Sequence, residues 1–360
     1  MTLRVEIEHR LGDFSLDVAF AAPPGVTVLF GRSGAGKTSV VHAVAGLLRP
    51  DRGRIEIAGQ VVLDTAQRID RPTARRRLGY IFQDGRLFPH LTVRGNLLYG
   101  RRFTPVGAGE PSLEHVVAML GIAPLLDRRP AGLSGGERAR VAIGRALLAR
   151  PHLILADEPL AVLDAARKAE ILPYLERLRD ETDVPILYVS HAAEEVARLA
   201  TTVIALEAGR VVRQGPASDV LADPTVTPLG AREAGAVLTV RVAQHHNDGL
   251  TELDAGGLPL FLPHIGRAPG TALRVRLPAN DVILARGRPE GLSALNILPA
   301  TVRAVREGEG PGALISLDTA AGAVLARVTR RSVSALSLAE GANVYAIVKS
   351  IAVAPGNVGS

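Results

Sequence analysis

The sequence predicts an α/β domain built on buried parallel strands, followed by a smaller all-β region. Three observations carry that expectation. Short apolar runs alternate with helical patterns up to about residue 230. A glycine-rich loop stands between one of those runs and the helix after it. Beyond residue 235 the apolar period falls to two, and no helix of length is indicated.

Val26–Phe30 is the first buried run, bounded by Pro23-Pro24-Gly25 and by Gly31. Leu153–Ala156 and Ile186–Val189 are the second and third, and the residues Gly79-Tyr80-Ile81-Phe82 are strand-like. Arg138–Ala149 and Ala165–Arg179 carry apolar residues at helical spacing. Thr201–Gln214 reads as a hairpin turning at Ala208-Gly209. The pattern changes across Pro224–Gly235. The runs VLTVRVAQ, TALRVRL, ATVRAV, ALISLDT, VLARVT and NVYAIVKSIAV then alternate as short strands, consistent with a small barrel or two half-barrels. The expected organisation is 1–230, 231–289 and 290–356.

Composition narrows the class. A chain of 360 residues makes two or three domains. It has no Cys, which excludes a disulfide framework, a thiolate metal site and a Cys nucleophile. With no Trp and 3% aromatics it offers no stacking platform for single strands. The net charge of +6 comes from 42 basic residues, only three of them Lys, scattered among 36 acids. That reads as a mixed solvated surface, and nucleic acid is not an expected partner. The N-terminal MTLRVEIEHRLGDF has no apolar signal core, and no apolar run nears the roughly 18 residues of a spanning helix. A cytoplasmic protein, able to dock onto a membrane protein, is expected.

Gly31-Arg32-Ser33-Gly34-Ala35-Gly36-Lys37-Thr38 fits the phosphate-loop pattern G-x-x-x-x-G-K-[ST], directly after a strand and opening a helix. Its glycines let backbone N–H groups face phosphate oxygens, and the helix N-terminus adds positive potential. Lys37 reaches the β- and γ-phosphates, and Thr38 offers a hydroxyl to Mg²⁺. Ser134 and Glu137 have capping-box spacing, and Gly135-Gly136 between them makes a second anion site at a helix start. Two phosphate-binding helix starts in one fold suggest that two chains share a nucleotide. Asp157-Glu158 ends the second buried run: beside a phosphate loop, Asp157 can join the Mg²⁺ shell and Glu158 can activate the attacking water. His191 follows the third run, at the carboxyl end where open α/β sheets bind ligands, and Gln83 follows GYIF similarly.

In order, Gly31–Thr38, Gln83, Leu133–Glu137, Asp157-Glu158, Leu163-Asp164 and His191 resemble the Walker A, Q-loop, signature, Walker B, D-loop and H-loop of ABC transporter ATP-binding subunits. The resemblance covers residues 1 to about 230. It implies a mainly parallel core sheet with a helical subdomain, and a head-to-tail dimer holding two ATP molecules. Walker A of one copy would face Ser134-Gly135-Gly136 of the other, with Asp164 beside the shared nucleotide. Glu158 would be the general base and His191 would contact the γ-phosphate. Gln83 would reach Mg²⁺ or the water and relay nucleotide state to a membrane permease. The D-loop departs from the usual small-polar pattern, reading Ala161-Val162-Leu163-Asp164. Phe14 is the nearest aromatic for stacking on adenine, and it fits a core strand equally well.

The segment from Asp84 to Gly100 resembles importer ATPases that work with a separate permease and an external binding protein. In finer wording, GRSGAGKTSVVHAVAGLLRPDRGRI, GYIFQDGRLFPHLTVRGNLLYG and LLDRRPAGLSGGERARVAIGRALL resemble the molybdate importer subunit. Importers of sulfate, tungstate, iron or polyamine are the near alternative. The resemblance places the protein on the cytoplasmic face of the inner membrane. The tail, with SALNILPATV and YAIVKSIAV, resembles an OB-like, Mop-type (molybdate-binding) domain. It implies an oxyanion held by Ser293, Thr329, Ser332, Lys349 and Ser350. The Arg of that family's Ser-x-Arg-Asn is replaced, because the sequence reads Ser293-Ala294-Leu295-Asn296. A non-transport ABC ATPase would usually show long coiled-coil insertions or two tandem cassettes, whereas this chain has one cassette and a β tail. A purely regulatory binding protein would need no Lys37, Asp157, Glu158 and His191 together.

Overall fold

The computed structural model describes residues 2–103, 112–223, 234–307, 310–353 and 357–359. The chain divides into two compact units, Met1–His191 with Leu199–Gln214 and Ala192–Arg198 with Gly215–Ser360. The expected boundary near residue 230 lies outside the described residues.

The first unit is organised by one sheet of eleven strands. In chain order these are β1 (Leu3–Leu11), β2 (Phe14–Ala22), β3 (Val26–Phe30), β4 (Arg52–Ile57), β5 (Gln60–Asp64), β6 (Ile69–Asp70), β7 (Leu78–Ile81), β8 (Leu153–Asp157), β9 (Ile186–Ser190), β10 (Thr202–Glu207) and β11 (Arg210–Gly215). In space they run β6-β5-β4-β1-β2-β11-β10-β3-β9-β8-β7. From β10 to β7 every pairing is parallel. β3 and β9 are buried at each position, as strands covered on both faces must be. The sheet's other half, β1 with β2 and β4 through β6, is an antiparallel wing that the sequence reading did not anticipate. Its strands alternate: Leu3, Val5 and Ile7 point into the core while their neighbours face solvent. β10 and β11 form the expected hairpin, with Ala208 and Gly209 both at positive φ (45° and 80°).

Helix α1 (Lys37–Ala45) buries Val40, Val41 and Val44 against the sheet. A helical layer follows: α2 (Val93–Tyr99), α3 (Leu113–Leu120) and α5 (Ala165–Glu181) pack around α4 (Gly135–Leu148). A Cβ on Gly144 of α4 would come within 2.8 Å of Leu97 on α2 and 3.0 Å of Leu120 on α3, so the close approach needs glycine. α4 begins at Gly135 rather than the expected Arg138, because the cap at Ser134 already satisfies the first turn.

The second unit holds two antiparallel sheets of five strands each. Leu238, Val240, Leu253, Leu260 and Val275 from one sheet share a core with Leu298, Val302, Ile315, Val324 and Ala346 from the other. Residues before and after position 290 therefore contribute to the same core. Its described helices are short; Arg330–Ala335 has six residues.

Buried Arg76 ends α1. Its guanidinium donates to the carbonyls of Ala43 (2.7 Å), Val44 (2.9 Å) and Arg71 (2.8 Å), placing a cation at the negative end of the helix. Arg76→Ala is expected to cost roughly 3 kcal/mol, since three guanidinium hydrogen bonds are lost at about 1 kcal/mol each. Urea unfolding of the two proteins, with an unchanged slope, measures this; a midpoint equal to wild type would contradict it.

Candidate nucleotide site

The parallel register builds the site. Phe30 of β3 pairs with Ser190 of β9, Val189 of β9 with Asp157 of β8, and Ala156 of β8 with Ile81 of β7. The residues that leave these strands therefore emerge side by side at one carboxyl edge: Gly31, His191, Glu158 and, two positions past Ile81, Gln83.

The Gly31–Thr38 loop turns into α1 through Gly34 (φ 82°) and Gly36 (φ 97°), both in the left-handed region. A Cβ on Gly36 would also lie 2.8 Å from Leu16 and 3.1 Å from the ring of Phe14. Phe14, half-buried, is thus packed beneath the loop and against the core. Arg32, Ser33, Gly34 and Thr38 are exposed, while Gly31, Ala35 and Lys37 are buried.

Lys37 is 4% exposed. Its Nζ donates to the carbonyls of Gly31 (2.8 Å) and Arg32 (2.9 Å) and lies 3.9 Å from Glu158 Oε1. Burial pushes its pKa down, opposed by the charges of Glu158 and Asp157. Asp157 divides its two oxygens: Oδ1 accepts from Thr38 Oγ1 (3.2 Å) and Oδ2 from the Tyr80 hydroxyl (3.4 Å). Burial pushes its carboxyl above the usual range, and the Thr38 hydrogen bond draws it back. A hydroxyl and a carboxylate so placed are hard oxygen donors of the kind Mg²⁺ takes beside phosphates. Among the described residues no cluster of three or more His, Asp or Glu would hold a metal by protein ligands alone.

Glu158 stands at φ 45°, left-handed for a non-glycine residue, with its amide donating to Val189 O (3.2 Å). Such backbone strain is concentrated at functional sites. Its Oε1 lies 3.3 Å from Nδ1 of His191, whose side chain is half-exposed. Lys37, Asp157, Glu158 and His191 form one cluster with Thr38 and Tyr80.

Ser134, Gly135 and Gly136 open a second helix, α4. The Ser134 hydroxyl accepts from Glu137 N, and Ser134 N donates to Glu137 Oε2 at 2.7 Å, a complete capping box. That second bond holds the Glu137 carboxyl below its ordinary range. Gly135 lines a cavity of about 300 Å³ with Gln83, Arg138, Pro159 and Leu163. Asp164 caps α5 by accepting from Arg167 N (2.9 Å).

Gln83 is exposed. Two residues that sequence reasoning did not single out hold the loop after it. Buried Asn96 accepts from Phe88 N (2.7 Å) and donates to Phe88 O and Thr92 O. Arg145 of α4 donates to Gly85 O (3.0 Å) and Arg86 O (2.7 Å). An amide inside the apolar face of α2 was the available signal for Asn96.

The five candidate oxyanion residues separate within the second unit. Thr329 pairs with Gly312, beyond Glu307 at one end of the strand Asn296–Glu307, and its hydroxyl caps a short helix through Ser332 N (3.1 Å). Ser293, Lys349 and Ser350 flank Asn296 at the strand's other end, where Asn296 Nδ2 donates to Ser350 Oγ (3.4 Å). The fold does not bring the two groups together within one chain. Thr329 and Ser332 are already engaged with each other.

The ABC transporter family model matches residues 16–161, and the TOBE domain model matches residues 292–355. A curated relative from Mesorhizobium japonicum, "Molybdenum import ATP-binding protein ModC", is 51% identical over 362 residues, covering 100% of this chain and 98% of the relative. The protein of that name from Rhizobium meliloti is 52% identical over 355 residues, covering 98% of this chain and 99% of its own. Among solved structures, cbiO1 of Clostridium perfringens, described as part of the ABC transporter complex cbiONQ, superposes with a TM-score of 0.53 at 26% identity, covering 62% of this chain and 91% of that one.

Lys37 carries the only buried cation among the residues just described around the loop. Lys37→Ala is expected to weaken binding of an ATP analogue by about tenfold or more, the size of one lost charge-assisted hydrogen bond. Isothermal titration measures it, and wild-type affinity in the variant would contradict the assignment of the loop.

Proposed function

We infer the function from descent and geometry together: the chain belongs to the molybdenum import ATP-binding proteins of the ABC transporters, and it is the ATP-hydrolysing subunit of a molybdate importer. The observation that carries the hydrolytic part is the convergence of Glu158 with Lys37, Asp157 and His191 at adjacent strand ends. The identity to curated relatives along the whole chain carries the importer and its cargo.

The working cycle we propose uses this chain's own groups. The N–H groups of Gly31–Thr38 and the start of α1 receive the phosphates, and Lys37 turns its ammonium from the loop carbonyls to the β- and γ-phosphate oxygens. Thr38 and Asp157 would hold Mg²⁺, which would supply neutralising charge to those phosphates. Glu158 takes a proton from the attacking water as its oxygen bonds to the γ-phosphorus and the β–γ bridging oxygen departs with ADP. His191, beside Glu158, holds that carboxylate and reaches the γ-phosphate. Gln83 senses the water and the metal from its exposed loop.

The nucleotide is completed by a second copy. Ser134-Gly135-Gly136 is a phosphate-ready start on a second helix, α4, distinct from the one that carries Lys37, and a head-to-tail sandwich would use both. Asp164 at the start of α5 stands beside that seam. The dimer docks on a separate membrane permease at the inner face of the cell membrane, and an extracytoplasmic binding protein delivers the cargo. No helix among the described residues is long and apolar enough to cross a membrane. An oxyanion in the C-terminal unit is supported by Ser293, Lys349 and Ser350, which share one strand end.

Glu158→Gln is expected to keep ATP binding, to slow hydrolysis by about 10²- to 10⁴-fold, and to trap the dimer. Single-turnover hydrolysis and gel filtration with ATP measure these; unchanged turnover would remove the general base from Glu158. For the cargo, ATPase activity is measured in membranes after co-expression with the permease and binding protein. Stimulation by molybdate and tungstate but not by sulfate is expected. Stimulation by sulfate instead would keep the ATPase and overturn the cargo.

A further inference from the structure

Tyr80 has a hydroxyl that packing alone does not require. It lies on β7, opposite Leu155 of β8, where any ring of that size would fill the half-buried space. Its ring stacks on Phe82, with centroids 4.0 Å apart and planes 22° from parallel. Phe82 in turn lies beneath the Arg86 guanidinium, 4.4 Å from its centroid. The backbone of that segment is pinned by Arg145 through the carbonyls of Gly85 and Arg86. The ring is therefore held from below, and its hydroxyl is aimed at Asp157 Oδ2 at 3.4 Å. Burial pushes the phenol's pKa up, so at neutral pH the hydroxyl keeps its proton and can donate it to the carboxylate.

Asp157 thus has two hydroxyl partners on opposite oxygens, Thr38 on Oδ1 and Tyr80 on Oδ2. A carboxylate with one partner can rotate about its last bond, whereas one held at both oxygens presents a single face. Groups that orient a metal-binding carboxylate in this way raise metal affinity without touching the metal.

We propose that Tyr80 is a positioning residue for the metal carboxylate: its hydroxyl fixes Asp157 Oδ2, so that Oδ1 stays with Thr38, and its stack on Phe82 ties that carboxylate to the segment carrying Gln83. This inference rests on the reading of Thr38 and Asp157 as the Mg²⁺ pair. It adds a link from the metal site to the Gln83 loop that runs through one phenol, three residues before Gln83.

The test is the metal-linked gain in nucleotide affinity of the full chain, measured by titrating ADP calorimetrically with EDTA and again with Mg²⁺. Tyr80→Phe keeps the ring and its stack and removes only the hydroxyl. The affinity in EDTA should be unchanged, while the gain on adding Mg²⁺ falls roughly threefold to tenfold, the size of one long hydrogen bond. Mn²⁺ bound with ADP, read by its electron paramagnetic resonance signal, should weaken by the same factor. Phe82→Leu retains the hydroxyl and loosens its ring, and should lose part of the same gain. A general structural role would lower thermal stability and both affinities alike, leaving the gain intact. An undiminished gain in Tyr80→Phe overturns the proposal. A wild-type chain with no Mg²⁺-linked gain overturns the metal pair itself, and the role of Tyr80 with it.

Discussion

The hydrogen-bond register of four parallel strands is the constraint on which the rest of the first unit depends. β3, β9, β8 and β7 pair so that Phe30, Ser190, Asp157 and Ile81 end close to one line. A shift of one residue in any pairing would turn every side chain of that strand to its other face. It would also carry Glu158 away from Lys37 and His191, or Asp157 away from Thr38. The runs Val26–Phe30 and Ile186–Ser190 are buried at every position, so the paired strands are enclosed by the packed core. Site geometry is therefore a by-product of core packing, and the polar residues need only follow the strands.

Burying charge at that edge has a cost, and the cluster distributes it. Lys37 loses hydration, and Asp157 loses its own beside it. The loop carbonyls of Gly31 and Arg32 and the two carboxylates compensate the ammonium. In the proposed site, incoming phosphates would replace the carbonyls as partners for an ammonium already desolvated, so Lys37 would shed little further water. At the far end of α1, Arg76 occupies the complementary position, a cation on the helix carbonyls. Both ends of one nine-residue helix are thus electrostatically assigned.

Much of this was legible in the residues because phosphate chemistry permits few choices. Gly31–Thr38 needs glycines where φ is positive, and the structure has Gly34 and Gly36 there. The cap at Ser134 and Glu137 is a local rule and forms as spaced. The antiparallel wing was not legible: β1 and β2 alternate apolar and polar residues as any half-exposed strand does, and pairing partners far apart in sequence leave no local mark. Tyr80 escaped notice because an aromatic in a buried strand is ordinary, and only its distance to Asp157 distinguishes it. The oxyanion set divided for the opposite reason. Small polar residues at strand ends are common, and two of the five, Thr329 and Ser332, serve a helix cap.

Whether the cluster at the strand ends is a nucleotide site completed by a second copy is tested most directly by a crystal structure of the full chain with Mg²⁺ and a non-hydrolysable ATP analogue. The phosphates are expected inside Gly31–Thr38, with Lys37 Nζ moved from the carbonyls of Gly31 and Arg32 onto phosphate oxygens. The Ser134–Gly136 helix start of a second copy is expected over the γ-phosphate. Nucleotide bound elsewhere, with Lys37 still on its loop carbonyls, would contradict it.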